Sequence, residues 1–345
     1  MPLEFVVTRG PLRVSFAGGG TDLPSFYERE CGAVVSATID KYVYVMINRC
    51  RPLLSRGIDD AARYRIRLSY STTENVQQVD ELKHPIVREA LKLLELDIPM
   101  DIATMADVPA GNGLGSSGTF SVALLHALHL IKGEEPSREQ LAAEAAHIEI
   151  DILGRPVGKQ DHYAAAFGGL NAIRFLADGD VTVSPVGSPE LPGHQLFPHL
   201  MLLHTGVSRD AGTVLSQQRE NVDGLSGELI KMRGHAHQLE TLLNGEFCLS
   251  RFGAVLHGNW MHKRMLSDNI TTAQIDTWYG LAMEAGAMGG KICGAGGGGF
   301  LLLVVESKKR AAVRDALREL TELSIGYEPL GTQVMIPAGG TVLGS

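Results

Sequence analysis

Three glycine-rich segments contain the residues of this sequence that are best suited to chemistry. They are residues 17–22 (AGGGTD), 109–118 (PAGNGLGSSG) and 294–299 (GAGGGG). After the second segment, apolar residues from Phe120 to Ile131 recur at the spacing of one helical face, so its glycines and serines open a helix. Such a loop directs backbone N–H groups and the positive end of the helix dipole at one point, which suits phosphate oxygens. Taken alone, the segment is equally consistent with a turn and a serine N-cap.

Other glycine motifs fit the sequence less well. Around Lys291, neither the glycine six residues earlier nor the hydroxyl residue directly after it is present, and a P-loop requires both. Residues 294–299 match GxGxxG, but the apolar run 300–305 follows, where a dinucleotide fingerprint needs a helix. No GxSxG surrounds the serines of the middle segment. These observations argue against a P-loop enzyme, a dinucleotide-dependent oxidoreductase and a serine hydrolase.

A buried acidic residue is the second kind of candidate. The pattern of residues 138–153 predicts a helix with Glu149 on its apolar side. An unpaired carboxylate there would cost several kcal/mol, so it needs hydrogen bonds, an ion-pair partner or a metal. A partly exposed position beside a basic residue is the alternative. Because Mg²⁺ takes one or two protein oxygens together with nucleotide phosphates, Glu149 and a loop serine would suffice as ligands.

Four further residues have both a chemical and a structural interpretation. Asp161 precedes a helical segment, and capping is its simplest local interpretation; the same holds for Thr21 and Asp22. Arg13 lies in an apolar strand, where a charged side chain usually has a partner, although a surface ion pair would also explain it. Local sequence leaves these alternatives open.

The elements that must position these residues are of mixed type. Helices are predicted to begin near Ser116 and Arg138, and the turn-rich stretch 176–197 indicates a domain boundary. About 150 residues per domain predicts two domains in 345 residues, which we assign to 1–195 and 196–345. Between the boundary and residue 286 we expect four helical stretches. Strands are predicted at residues 5–7, 12–16, 33–39, 42–47, 63–70, 100–106, 199–204 and 300–305.

Composition limits the partners and the compartment. A formal net charge of −8 makes nucleic acid and anionic membranes poor partners, since both select basic surfaces. Four scattered cysteines without a CxxC pair fit a reducing cytoplasm. The longest apolar run, 300–305, is far too short to span a membrane, and Glu4 interrupts any signal-peptide core. We therefore expect a soluble cytoplasmic protein, with its oligomeric state undetermined.

Together, the motifs resemble those of the GHMP kinases. PAGNGLGSSG resembles the family's phosphate loop, RGPLRVSFAGGGTDLP its N-terminal substrate motif and KICGAGGGGF its C-terminal glycine motif, in family order. FAGGGTD, ATIDKY, GRPVGKQD and TGVSRDA are most similar to the D-glycero-D-manno-heptose 7-phosphate kinase group, with the fucokinase domain close behind. The resemblance implies an α+β fold of two domains. The first would be α/β, like the second domain of ribosomal protein S5, and the other ferredoxin-like, with ATP and a sugar in the cleft between them.

The resemblance also implies roles for individual residues. Ser117 and Glu149 would hold Mg²⁺, Asp161 would be the catalytic aspartate, and Arg13 would steady charge on the transferred phosphoryl group. The ATP phosphates would be bound by Pro109, Gly111, Asn112, Gly113, Leu114, Gly115, Ser116, Ser117 and Gly118. The sugar would be bound by Gly19, Gly20, Thr21, Asp22, Lys159, Arg209, Gly296 and Gly297, with Lys159, Arg155 and Arg209 as cations for a substrate phosphate.

The implied reaction is ATP-dependent phosphorylation of a sugar hydroxyl. In the heptose kinase group this would be the anomeric O1 of the heptose 7-phosphate, giving the 1,7-bisphosphate. A fucokinase-like or galactokinase-like enzyme is the first alternative, and a non-catalytic sugar or ATP sensor on the same fold is the second. The sensor is less consistent with the sequence, because the serine loop, Glu149 and Asp161 are all present.

Overall fold

Two β-sheets and the helices packed on them make up the described part of this computed structural model, residues 3–49, 64–187, 193–207 and 222–337. The strands are β1 (Phe5–Ala17), β2 (Gly32–Arg49), β3 (Ile66–Ser69), β4 (Thr73–Val76), β5 (Met100–Ala106), β6 (Leu170–Phe175), β7 (Val181–Pro185), β8 (Leu200–His204), β9 (Ala287–Ile292), β10 (Phe300–Val305), β11 (Thr321–Leu323) and β12 (Gln333–Pro337). The helices are α1 (Pro24–Glu30), α2 (Pro85–Leu93), α3 (Ser116–Lys132), α4 (Arg138–Ala146), α5 (Gln160–Phe167), the single turn α6 (Gly193–Leu196), α7 (Val222–Asn244), α8 (Leu249–Lys263), α9 (Ala273–Glu284) and α10 (Arg310–Ala316). The predicted mixture of helices and strands is confirmed.

Among the described residues, the first sheet has eight strands and positions the loop of residues 109–118. Its main path runs β12-β1-β2-β5-β3-β4, and the hairpin β6-β7 extends from β2. The pairing of β3 with β5 is parallel, and the other pairings are antiparallel. Helices α3 and α5 pack on β1 and β2. The last strand, β12, returns to the edge of this sheet beside β1.

The second sheet is antiparallel, in the order β11-β8-β10-β9. Every residue of β10 is buried, because both faces of this strand are covered. Successive side chains point to opposite faces. Leu302 therefore joins a core with Leu12 and Phe252, while Leu301 and Leu303 join a second core around Trp260 on α8. The first of these cores connects the two sheets.

Several predicted boundaries were wrong, and each has a physical reason. The pairs of short strands predicted at 5–16 and 33–47 are the single long strands β1 and β2, since a register shift between Pro11 and Arg13 lets the pairing continue through a bulge. The stretch 176–197 is not only turns, because β7 pairs with β6 within it. The helix predicted over 138–153 becomes a π-helical turn at His147–Ile152. Three of the four helical stretches predicted before residue 286 are present as α7, α8 and α9. The fourth stays a prediction, because residues 208–221 lie outside the described part of the chain.

Candidate active site

The loop of residues 109–118 forms a concave backbone surface at the start of α3. Gly111, Gly113 and Gly115 all have left-handed backbones, with φ of 82°, 81° and 79°. Glycine adopts this conformation without the steric penalty that a Cβ imposes. Gly115 is the N-cap of α3, and no side chain of the described residues caps this end of the helix. The first N–H groups of α3 are therefore available to an anion, as expected for phosphate binding.

The loop packs backbone against backbone on the third glycine segment. A Cβ on Gly113 would lie 2.5 Å from the carbonyl oxygen of Cys293, and one on Gly299 would lie 2.5 Å from the carbonyl oxygen of Asn112. The Asn112 side chain stabilises the turn that begins at Pro109, since its Nδ2 donates to the Pro109 carbonyl at 2.9 Å. Leu114 is buried in the core between the sheets. The two glycine segments are therefore parts of one structure.

Within the third glycine segment, the residues facing the cleft differ from the predicted ones. The Gly297 N–H donates to the Ile270 carbonyl at 2.8 Å, and a Cβ on Gly296 would lie 2.9 Å from the same residue. These two glycines pack on the loop before α9, and it is Gly294 and Ala295 that line the cleft.

Arg13 and Asp161 form an ion pair beside the loop, in which Arg13 is buried and Asp161 is partly exposed. Nη2 of Arg13 lies 2.5 Å and Nε 2.8 Å from Oδ1 of Asp161, and Nη1 donates to the Gly113 carbonyl at 2.7 Å. The Arg13 side chain is 3% exposed, so the surface-pair interpretation is wrong. Capping is also wrong for Asp161, because Lys159 is the N-cap of α5. A Cβ on Gly118 would lie 2.8 Å from that of Asp161, so the bare backbone there lets α3 and α5 approach closely.

Glu149 is buried against the first turn of α3. It is 1% exposed, and Ser117 Oγ donates to its Oε2 at 2.5 Å, while Ser121 Oγ donates to Oε1 at 2.7 Å. His162 Nε2 lies 3.2 Å from Oε1. Burial raises the pKa of this carboxyl, but His162 and the two hydroxyls outweigh it and hold the pKa at about 2. The group is therefore a carboxylate at neutral pH.

The residues around Glu149 fit a magnesium ion. A carboxylate oxygen and a hydroxyl oxygen in contact are hard ligands of the type Mg²⁺ prefers. Arg155 donates from Nη1 to the same Oε2 at 3.0 Å and to Ser117 Oγ at 3.1 Å, so this oxygen pair already attracts a cation. The described residues contain no group of three or more His, Cys, Asp or Glu that could hold a metal. The remaining ligands of such an ion would come from nucleotide phosphates and water.

The opposite side of the cleft is formed by the first glycine segment. Asp22 is buried, and its carboxylate accepts N–H bonds from Gly20 at 2.8 Å and Gln160 at 3.3 Å. Burial and the nearby charge of Asp161 raise the pKa of Asp22. Gly19 and Gly20 line the cleft beside it. Thr21 is structural, because its hydroxyl donates to the Gly18 carbonyl at 2.8 Å inside the turn.

Neither of the two predicted substrate-phosphate cations that the structure describes, Lys159 and Arg155, lines this cleft. Lys159 Nζ donates to the Gly179 carbonyl at 2.7 Å and lies 4.9 Å from the centre of the Tyr27 ring, in a separate pocket. Arg155 contacts Glu149, and Arg209 lies outside the described residues.

Two lysines that sequence reasoning missed line the cleft. Lys263 is the last residue of α8 and Lys291 lies in β9; their exposed fractions are 3% and 1%. The helical periodicity contained a signal for Lys263, since Leu256 and Trp260 precede it on the buried face at i−7 and i−3. For Lys291 the signal was its position three residues before a glycine segment that was itself assigned to the site. The cleft thus combines an anion-binding loop, a carboxylate–hydroxyl pair, an aspartate–arginine pair and two buried ammonium groups.

Comparison with known proteins identifies the class of protein that this fold and cleft define. The GHMP kinases N terminal domain matches residues 85–169 and the GHMP kinases C terminal domain matches residues 243–322. The chain therefore contains both domains of the GHMP kinases, which are ATP-dependent phosphotransferases. Among the described residues, no helix has the length and apolar character needed to cross a bilayer.

Individual relatives cover nearly the whole chain. The D-glycero-alpha-D-manno-heptose 7-phosphate kinase of Campylobacter jejuni is 29% identical over 331 residues, which cover 92% of this chain and 94% of that protein. The L-fucokinase/L-fucose-1-P guanylyltransferase of Bacteroides fragilis is 25% identical over 85% of this chain and 34% of its own length. The crystal structure of a D-glycero-D-manno-heptose 1-phosphate kinase from Bacteroides thetaiotaomicron superposes with a TM-score of 0.76 at 24% identity, covering 96% and 99% of the two chains. These likenesses confirm the GHMP kinase fold.

Proposed function

We propose that this chain is a sugar kinase that transfers the γ-phosphoryl group of ATP to the anomeric O1 of D-glycero-D-manno-heptose 7-phosphate, giving the 1,7-bisphosphate. The observation that carries the proposal is the convergence of two acid-containing pairs, Ser117–Glu149 and Arg13–Asp161, on the first turn of α3. The substrate rests on the Campylobacter jejuni relative and on the four sequence motifs shared with that group.

The phosphate loop would bind ATP through its backbone. Residues 111–118 offer N–H groups at the uncapped start of α3, where the helix dipole favours anions. Ser117 and Glu149 would hold Mg²⁺, which when bound neutralises charge on the nucleotide phosphates. Because Glu149 is ionised well below neutral pH, it keeps its negative charge for this role across the physiological range.

Asp161 would act on the sugar hydroxyl. Both hydrogen bonds from Arg13 reach Oδ1, which leaves Oδ2 as the oxygen that would accept the hydroxyl proton. The hydroxyl oxygen bonds to the γ-phosphorus while the bond from that phosphorus to the ADP oxygen breaks. Phosphoryl transfer is mostly a matter of alignment and charge stabilisation, so Arg13 would both orient Asp161 and stabilise the transferring group.

The acceptor would lie between the two sheets. Asp22 and the bare backbone of Gly19 and Gly20 form the side of the cleft opposite the loop, and the Asp22 carboxylate suits sugar hydroxyl donors. We place the domain boundary near residue 195, shortly before β8 opens the second sheet, with β12 as the segment that returns to the first. We also propose a cytoplasmic location, which the free thiols of Cys31, Cys248 and Cys293 support.

An acceptor panel tests the proposal. Purified protein with ATP and Mg²⁺ would be offered the heptose 7-phosphate, L-fucose, galactose, mannose and homoserine, with ADP release as the readout and ³¹P NMR to locate the new phosphate. We expect the heptose 7-phosphate to give the highest kcat/KM and the product to be substituted at O1. Higher kcat/KM with fucose or galactose would assign the chain to the fucokinase-like or galactokinase-like group. Nucleotide binding without turnover of any acceptor would instead indicate a sensor.

A further inference from the structure

Two buried lysines on the second-sheet side of the cleft have no role in the reaction described above. Lys263 Nζ donates to the Gly294 carbonyl, and the Lys291 side chain makes no hydrogen bond among the described residues. Within the same part of the chain, no Asp or Glu forms an ion pair with either ammonium group. Both side chains nevertheless line the cleft and are almost fully removed from solvent.

Holding two like charges side by side in the interior is costly. Burial lowers the pKa of Lys263 well below its ordinary value, and the neighbouring charge of Lys291 lowers it further. Burial is also the main cause that lowers the pKa of Lys291, to about 8. A buried charge is normally paired or bound to a ligand. The cost of burying this lysine pair therefore indicates that an anion binds beside it.

The position of the lysines favours an anion on the acceptor over the transferred phosphoryl group. The transferred group already faces Arg13, the N–H groups of the loop and the Ser117–Glu149 pair, which are all on first-sheet elements. The lysines belong to α8 and β9, on the side of the second sheet. The charges that act on both include Arg13 and the Asp22 carboxylate, so the pair lies within electrostatic reach of the acceptor side.

Two orphaned polar atoms in the same cleft indicate a hydroxylated ligand. Ser15 Oγ and Gln160 Oε1 are buried and have no hydrogen-bond partner in the part of the chain that the structure describes, and both residues line the cleft. A Cβ on Gly19 would lie 3.8 Å from Ser15 Oγ and 3.7 Å from Gln160 Nε2, so these two side chains flank the bare backbone of Gly19. Buried polar groups are nearly always satisfied in a complete structure, so a ligand with hydroxyl groups would complete them.

We infer that Lys263 and Lys291 bind the phosphate group that the acceptor sugar already carries, while Ser15 and Gln160 hydrogen-bond hydroxyls of the same molecule. This inference rests on the proposed sugar kinase function and extends it, because it makes the lysine pair the reason for preferring a sugar phosphate to a free sugar. Lys159, which lies in another pocket, and Arg155, which pairs with Glu149, then have no part in that preference.

Steady-state kinetics with matched sugars test the inference. Lys263→Met and Lys291→Met would be compared with wild type and with Lys308→Met, which removes an exposed charge far from the cleft. For the heptose 7-phosphate, we expect each cleft variant to lose about 10- to 100-fold in kcat/KM, as for a charge-assisted hydrogen bond. For the unphosphorylated heptose and for KM of ATP, we expect little change, and Lys308→Met should match wild type throughout.

Each contrary result has a distinct meaning. Equal losses with both sugars, together with a raised KM for ATP, would assign the lysines to the transferred phosphoryl group and overturn the inference. A wild-type enzyme that uses free heptose as well as its 7-phosphate would also overturn it, while leaving the kinase function intact.

If wild type phosphorylates no sugar, the proposed function fails, and calorimetric binding of heptose 7-phosphate without ATP decides the inference. Weaker binding by Lys291→Met than by wild type supports it, and equal binding refutes it. Thermal unfolding confirms that the variants are folded.

Discussion

The approach of α3 to α5 at Gly118 gives a sharp test of the active-site geometry. A Cβ at this position would lie 2.8 Å from the Cβ of Asp161, whereas ordinary contact begins at 3.4 Å, so α5 must move by about 0.6 Å in Gly118→Ala. Misplacing a reacting group by about 1 Å can cost ~100-fold in rate, so we expect kcat to fall by at least about 10-fold. KM for ATP should change less, because the left-handed glycines of the loop are untouched.

Gly280→Ala is the matched control for this substitution. Gly280 is also inside a helix, α9, but it is exposed, and a Cβ added to it would have no neighbouring atom within 4 Å. Alanine there should raise the free energy of unfolding by roughly 0.5–1 kcal/mol through helix propensity and leave kcat unchanged. In Gly118→Ala the same gain is opposed by an overpacking cost of about 1–3 kcal/mol. Chemical denaturation and initial rates measure both quantities. Wild-type kcat together with a Gly280-like gain in stability in Gly118→Ala would refute the proposed contact.

Three further substitutions probe the charges of the cleft. Glu149→Gln should raise the Mg²⁺ concentration needed for half-maximal rate while the far-UV circular dichroism spectrum stays unchanged; an unaltered Mg²⁺ dependence would exclude Glu149 as a ligand. Arg13→Met should lower kcat by about 10²- to 10³-fold, as for the loss of an electrostatic stabiliser, and a change confined to KM for ATP would contradict this. At pH 7 we expect the free energy of unfolding of Lys291→Met to exceed that of wild type by up to roughly 3 kcal/mol. The charged lysine destabilises the folded wild type, since burial lowers its pKa from 10.5 to about 8. We expect this difference in the free energy of unfolding to be largest below pH 8 and to disappear as the pH rises to 10.5, where the lysine of the unfolded chain also loses its proton. A difference that does not depend on pH would contradict a buried charge at Lys291.

Much of the fold could be predicted because it depends on local patterns. The apolar run of β10, the apolar face of α3 and the glycines before it each determine their own element. The long strands β1 and β2 could not be predicted, because the bulge near Pro11 is stabilised by pairing with a distant strand. The π-helical turn at His147–Ile152 also depends on tertiary contacts, since Glu149 within it bonds to residues of α3 and α5.

The site was predictable where function depends on backbone shape or on a charge placed on an apolar face. The phosphate loop and buried Glu149 are of this kind. Asp161 could not be distinguished locally from a cap, since its partner Arg13 is 148 residues away in sequence. Lys159 was misplaced because sequence neighbours of a site residue can point to another pocket. Lys263 and Lys291 meet only when α8 packs on β9, which no local pattern shows.

The central claim is that Asp161 acts on the acceptor hydroxyl at a nucleotide-binding loop, and Asp161→Asn tests it most directly. Asparagine keeps the size of the side chain but removes the charge and the proton-accepting carboxylate oxygen. We predict that kcat with the heptose 7-phosphate falls by about 10²- to 10⁴-fold, the range for loss of general base catalysis, while the Kd for ATP measured by calorimetry is nearly unchanged. Wild-type turnover by Asp161→Asn would contradict the account.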